Sequence, residues 1–184
     1  MTTTNKLIWY TDLYHQAVKT GIFDEQNIEL LEGELIQMSP EGEPHANRIS
    51  ESVRYLIRRL GDKAAVRDGH PVTLSPTSEP EPDIAIVEDL GREYDTHHPY
   101  PNNIFLIIEF AYSSLEQDLG QKRLIYAKAG IQEYWVVNLK ASQVHLYRQP
   151  TEEDYQSSEI MNSGNISPIA FPDISVDISS LLTQ

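Results

Sequence analysis

The seven residues Ile104 to Phe110, IFLIIEF, constrain what this chain can fold into more than any other stretch. All are apolar except Glu109; the turn formers Pro101-Asn102-Asn103 precede them and Ser113-Ser114 follow. That pattern predicts a strand buried on both faces. A carboxylate in such a strand is costly unless it is paired, hydrogen-bonded, protonated or bound to a metal. Glu109 therefore needs a partner.

The next segment offers one. Ser113 or Ser114 can cap a helix, with Glu116 or Gln117 three residues on as in a capping box, and Gly130 closes it. A 3.6-residue wheel over 115–129 gathers Leu115, Asp118, Leu119, Lys122, Ile125, Tyr126 and Ala129 on one side. Lys122 thus falls in the middle of the inward face, where a surface lysine is not expected. The bland alternative is an ordinary i,i+4 ion pair with Asp118.

With 184 residues the chain is expected to form one domain over 1–184 with a core of its own. It has no cysteine, which excludes disulfides and thiolate metal sites, so any metal must be held by oxygen and imidazole. Its apolar runs all fall short of the ~20 residues that span a bilayer, and the opening Met1-Thr2-Thr3-Thr4-Asn5 lacks signal-peptide form, so a cytoplasmic protein is expected. A net charge of −14 opposes tight non-specific binding to nucleic acid. The basic residues Arg48, Arg54, Arg58, Arg59, Lys63 and Arg67 nevertheless form a local strip, and nothing after Arg148 is basic.

In chain order, Trp9, Leu13, Ala17 and Val18, with Thr11 or Asp12 as cap and Gly21 as stop, predict a short first helix. Ile28 to Met38 reads as a β-hairpin turning at Glu32-Gly33, and Met38 to Pro44 as a loop. A helix is expected from His45 to Leu60, with Ala46, Ile49, Val53, Leu56, Ile57 and Leu60 inward and Gly61 as stop. His45, at its start, suits a capping or core role. Ala64–Val66 and Val72–Leu74 are candidate strands, and the rigid loop PTSEPEP delivers Asp83 to the apolar run Ile84–Val87. His97 and His98 lie in a polar loop; being adjacent, they are not expected to converge on one ion. Glu133–Asn138 and Gln143–Arg148 form a second hairpin, with Tyr134 and Trp135 as core aromatics or part of a dimer contact. A strand near Ser158–Met161, a turn at 162–165 and an apolar segment at Ile174–Leu182 complete the chain.

This order predicts an α/β (α+β) layout with Asp83 and Glu109 on central strands and Lys122 on the following helix. Two carboxylates on adjacent buried strands can hold a divalent ion such as magnesium that keeps some of its waters. The residues thus point to metal-assisted phosphodiester hydrolysis.

Pro82-Asp83, Ile107-Ile108-Glu109-Phe110-Ala111, Asp118-x-x-x-Lys122-x-x-x-Tyr126 and Ala129-Gly130-Ile131-x-Glu133-Tyr134-Trp135-Val136-Val137, in that order, resemble the Uma family of restriction endonuclease-like proteins within the PD-(D/E)XK nuclease superfamily. The resemblance covers nearly the whole chain. It implies a restriction endonuclease-like core, a central mixed sheet flanked by helices, with an added N-terminal helix and β-hairpin. It also implies Asp83 and Glu109 as ligands of magnesium or manganese, DNA as substrate, and a homodimer. The superfamily places a lysine two residues after the strand glutamate, where this chain has Ala111. The resemblance assigns that lysine's work to Lys122, making Asp83, Glu109 and Lys122 the expected catalytic set. Glu34, His45, Asp118 and Tyr126 match further family positions as accessory candidates.

Two other readings stay open at this stage. One is a catalytically inactive nuclease-fold dimer serving as a partner-binding or regulatory module, which the acidity favours. The other, a glycosidase using Glu34 and Glu109 as acid and base, requires a cleft rich in exposed aromatics, and the sequence supplies none.

Overall fold

The structure is a computed structural model and describes residues 6–40 and 42–182; the polar opening at 1–5 and Glu41 of the first loop lie outside the described residues. Helix α1 spans Thr11–Lys19, and the hairpin follows as β1 (Ile28–Leu31) and β2 (Glu34–Gln37). The two turn residues both take positive φ, 49° at Glu32 and 81° at Gly33. This matches the twist of two antiparallel strands joined by a two-residue loop. Helix α2 runs from Glu43 to Leu60, two residues longer at its start than His45 predicts, because Pro44 suits a first helical turn.

The sheet strands are β3 (Ala65–Asp68), β4 (Ile84–Val87), β5 (Ile104–Ala111), β6 (Glu133–Asn138), β7 (Gln143–Pro150) and β8 (Tyr155–Met161). They form one six-stranded mixed sheet in that order. Only the β5–β6 pair is parallel, and the crossover joining them carries the helical segment. A second small ladder joins β9 (Asn165–Ile166) and β10 (Val176–Asp177), and α5 spans Ser179–Leu182.

Side-chain alternation sends the strands' apolar residues to both faces. Ile84, Ile86, Leu106, Ile108, Phe110 and Trp135 meet α2 and the C-terminal segment through Leu56, Leu60, Ile178 and Leu181. Ala85, Val87, Ile107, Tyr134 and Val136 face Ile125 and Tyr126 of the crossover. Two residues apart on a strand means one face, so Glu109 lies on the side of Ile107 and Ala111, toward that crossover helix. Glu133, fully buried where β6 begins, accepts from Arg148, Trp135 and the Ile169 N–H, which ties the C-terminal segment to the sheet.

The sequence reading departs from the structure in four places. On α1, Leu13 and Val18 are exposed and Tyr14 is the buried residue, its hydroxyl donating to the Ile28 carbonyl. On α2, Ile57 is exposed whereas Ser52 is buried. Val72–Leu74 is extended but forms no strand; its N–H groups bond to the carbonyls of Pro80, Pro99 and Ser78, within a prolyl segment that cannot supply a full ladder. The crossover helix is not uniformly α: α3 (Leu115–Gln117) and α4 (Arg123–Lys128) flank a π turn at Asp118–Lys122. Tyr134 and Trp135 are wholly buried in the core. Among the described residues, no helix is long and apolar enough to cross a membrane.

Candidate active site

Asp83 and Glu109 meet because β4 and β5 are antiparallel neighbours, with Ile84 opposite Ile108. The register places the residue before β4 beside the one after Ile108. The two are interlocked through the backbone: the Phe110 N–H donates to Asp83 Oδ2 at 2.6 Å, and the Asp83 N–H donates to Glu109 Oε2 at 3.2 Å. Each carboxylate therefore has a fixed direction.

Glu109 Oε1 is held from the helix. Lys122 Nζ lies 3.1 Å from it and the Tyr126 hydroxyl donates to it at 2.8 Å. Both donors come from the crossover, one turn apart, and both are buried. Lys122 is thus the partner that Glu109 requires; the i,i+4 pair with Asp118 does not form. The ammonium lies equally close, at 3.1 Å, to Glu29 Oε2 on β1. Burial alone would lower the lysine's pKa, but Glu109, Glu29, Asp118 and Asp83 together hold it above its ordinary value.

Glu29 is the group the sequence reading missed. It carried the same signal as Glu109, a carboxylate among apolar neighbours on a strand, and it is only 1% exposed. The hairpin's other acid, Glu34, lies apart from this cluster. It shares a face with Glu29, but it sits on the outer strand beside the turn, opposite Leu31, where it is half-exposed and pairs with Lys6. Glu29, on the inner strand, is the one that reaches Lys122.

His45, at the start of α2, reaches the other end of the pair: its Nε2 bonds to the Phe110 carbonyl and lies 3.8 Å from Asp83 Oδ2. Asp118 is buried in the π turn, the Tyr134 hydroxyl donating to its carbonyl. Arg48, at the head of the presumed basic strip, is buried against Glu51, while Arg59 turns to the Ser175 carbonyl and Arg67 lies over the Tyr94 ring. Arg54 and Arg58 remain exposed, one turn apart on α2.

Glu29, His45, Asp83, Glu109, Asp118 and Lys122 line a cleft of about 1840 Å³ between the hairpin, α2 and the crossover. Its charge is unbalanced. Burial, then Glu109, pushes the Asp83 carboxyl well above its usual range. Burial and Glu109 raise Asp118 to about 7. Burial and Glu29 raise Glu81 to about 7. One lysine cannot neutralise so many carboxylates in a poorly solvated place, and an all-oxygen donor set with surplus negative charge fits a hard divalent cation. Asp83 and Glu109 offer carboxylate oxygens of that kind side by side.

A separate donor group lies on α1 and the loops. His15, Glu79 and His98 bring ligand atoms within 4.8 Å of one another. His97 and His98 do diverge, as adjacent side chains should. His97 stacks on Tyr100, and His98 turns toward His15. Nothing in the spacing of residues 15, 79 and 98 announces that meeting.

The arrangement was compared with known proteins. No curated protein matches the chain. Among solved structures, a "putative nuclease belonging to DUF820" from Anabaena variabilis superposes with a TM-score of 0.68 at 18% identity, covering 86% of this chain and 91% of that one. That likeness shows the fold, a mixed sheet flanked by helices. The family model Uma2, described as "Putative restriction endonuclease", matches residues 11–179, and the chain belongs to that family.

Proposed function

We propose that this protein is a divalent-metal-dependent endonuclease that hydrolyses DNA phosphodiester bonds, with Asp83 and Glu109 holding magnesium or manganese and Lys122 completing the site. The observation that carries the reading is the 3.1 Å approach of Lys122 Nζ to Glu109 Oε1, from a helix, beside an Asp83 locked to the same strand. Family membership supports it. When bound, the ion supplies polarisation of the scissile phosphate and a water of lowered pKa.

The chain's own residues do the rest. Lys122 stays charged in its carboxylate setting and stabilises negative charge developing on the phosphate, in a place with little water to screen it. Tyr126 fixes the Glu109 carboxylate, and Glu29 holds the lysine from its other side. His45 fastens the start of α2 to the Phe110 carbonyl, so that the helix N-terminus opens onto the cleft, where the positive end of its dipole favours an anion. A homodimer would present such a cleft to each strand of a duplex.

The test is cleavage of supercoiled plasmid at low salt with magnesium or manganese, wild type against Glu109→Ala purified in the same way. The expected result is nicking by the wild type alone. Equal cleavage by both would place the activity elsewhere. Cleavage by neither would favour the partner-binding module that the net charge of −14 suits.

A further inference from the structure

Glu79 is 1% exposed, in the segment that bridges back to β1 through mutual backbone bonds with Leu30. Both its oxygens are engaged. Oε1 lies 2.6 Å from His15 Nε2 of α1, and Oε2 accepts from the Thr73 hydroxyl at 2.5 Å. The His98 ring faces the same point, 6.1 Å from the His15 ring and nearly perpendicular to it. A hydrogen-bonded His–Glu pair would account for two of these groups. That pair alone does not bring the second imidazole, His98, within ligand distance of the same carboxylate.

We propose that His15, Glu79 and His98 form a second metal site, distinct from the Asp83–Glu109 cleft, which takes a zinc-type divalent ion and fastens α1 to the two loops that flank it.

Two imidazoles and one carboxylate are a donor set that a borderline ion such as zinc accepts and magnesium does not favour. Around a tetrahedral ion such donors stand about 3.3 Å apart, so a group within 4.8 Å closes by small side-chain movements. The hydroxyl of Thr73 on the distal carboxylate oxygen is the outer-shell contact that orients a ligating carboxylate. The half-exposed His15 leaves a side for water or a further ligand. Because Glu79 also grips Leu30, and Glu29 is its neighbour on β1, the ion would brace the hairpin strand that supplies Glu29 to Lys122.

The experiment is zinc binding to the full chain in excess magnesium, read by competition with a chromophoric chelator and by melting temperature. Variants are His98→Ala, His15→Ala, Thr73→Val and Glu109→Ala. The proposal expects one zinc per chain and a rise in melting temperature in the wild type and in Glu109→Ala. It expects both effects to be lost in His98→Ala and His15→Ala, and affinity about tenfold weaker in Thr73→Val. Neither histidine is deeply buried, so these variants keep the fold, which the magnesium-only melting curve verifies. Zinc binding that survives both histidine changes, or that disappears in Glu109→Ala, overturns it; so does the absence of zinc binding in the wild type.

Discussion

Glu109 accepts from the Lys122 ammonium, the Tyr126 hydroxyl and the Asp83 N–H, and its usefulness depends on all of them. Tyr126→Phe keeps the ring but removes one donor, and should cost about 1–3 kcal/mol in urea unfolding; an unchanged midpoint would mean that this hydrogen bond contributes nothing. The crowded acids make a pH prediction. Asp118 and Glu81 hold protons up to about 7 in the folded chain, against 3.8 and 4.5 for the unperturbed groups. The folded state then binds more protons than the unfolded one between about pH 4 and 7, so the stability from these groups is complete below that window and is lost as pH rises through it. The raised pKa of Lys122 acts only at far higher pH and does not offset the slope. Metal-free Asp118→Asn should therefore gain in melting temperature on the wild type between about pH 5 and 8, and a constant difference would contradict the assignment. At this scale the sequence was legible where a charge stood in an apolar frame, as at Glu109 and Lys122. It did not single out Glu29 over Glu34, because alternation in a short hairpin reveals which residues share a face but not which strand is the inner one.

The elements were legible wherever punctuation was strong. The hairpin turn at Glu32-Gly33 is an example: an added Cβ at Gly33 would stand 2.5 Å from Ile8 Cγ2, and φ there is +81°. Gly33→Ala should destabilise the chain by more than about 1 kcal/mol, measured by chemical unfolding, and a neutral substitution would show that the turn relaxes freely. The π turn was not legible, because a 3.6-residue wheel assumes a regular helix, and Asp118 and Lys122 lie inward on either geometry.

Over the whole molecule, the chain is acidic and its arginines are largely spent on structure: Arg148 on Glu133, Arg59 on the Ser175 carbonyl, Arg48 on Glu51. Clustering in sequence suggested a basic strip, but Arg48, Arg59 and Arg67 are drawn into contacts of their own, which leaves Arg54 and Arg58 exposed on α2. Duplex DNA should accordingly bind no tighter than about 10⁻⁴ M at physiological salt without a divalent ion, and more tightly with calcium, as fluorescence anisotropy would report; sub-micromolar metal-free binding would reveal a basic surface that this account lacks. The α/β layout, by contrast, followed from the order of apolar runs, whereas the mixed character of the sheet came only with the family resemblance. The central claim is that Lys122, supplied from that helix, does the work of a lysine absent from position 111. The measurement that tests it most directly is single-turnover DNA cleavage by Lys122→Met at saturating magnesium, with magnesium affinity determined on the same sample. The account predicts a rate at least about 100-fold lower with magnesium affinity within about threefold of wild type; cleavage at the wild-type rate would contradict it.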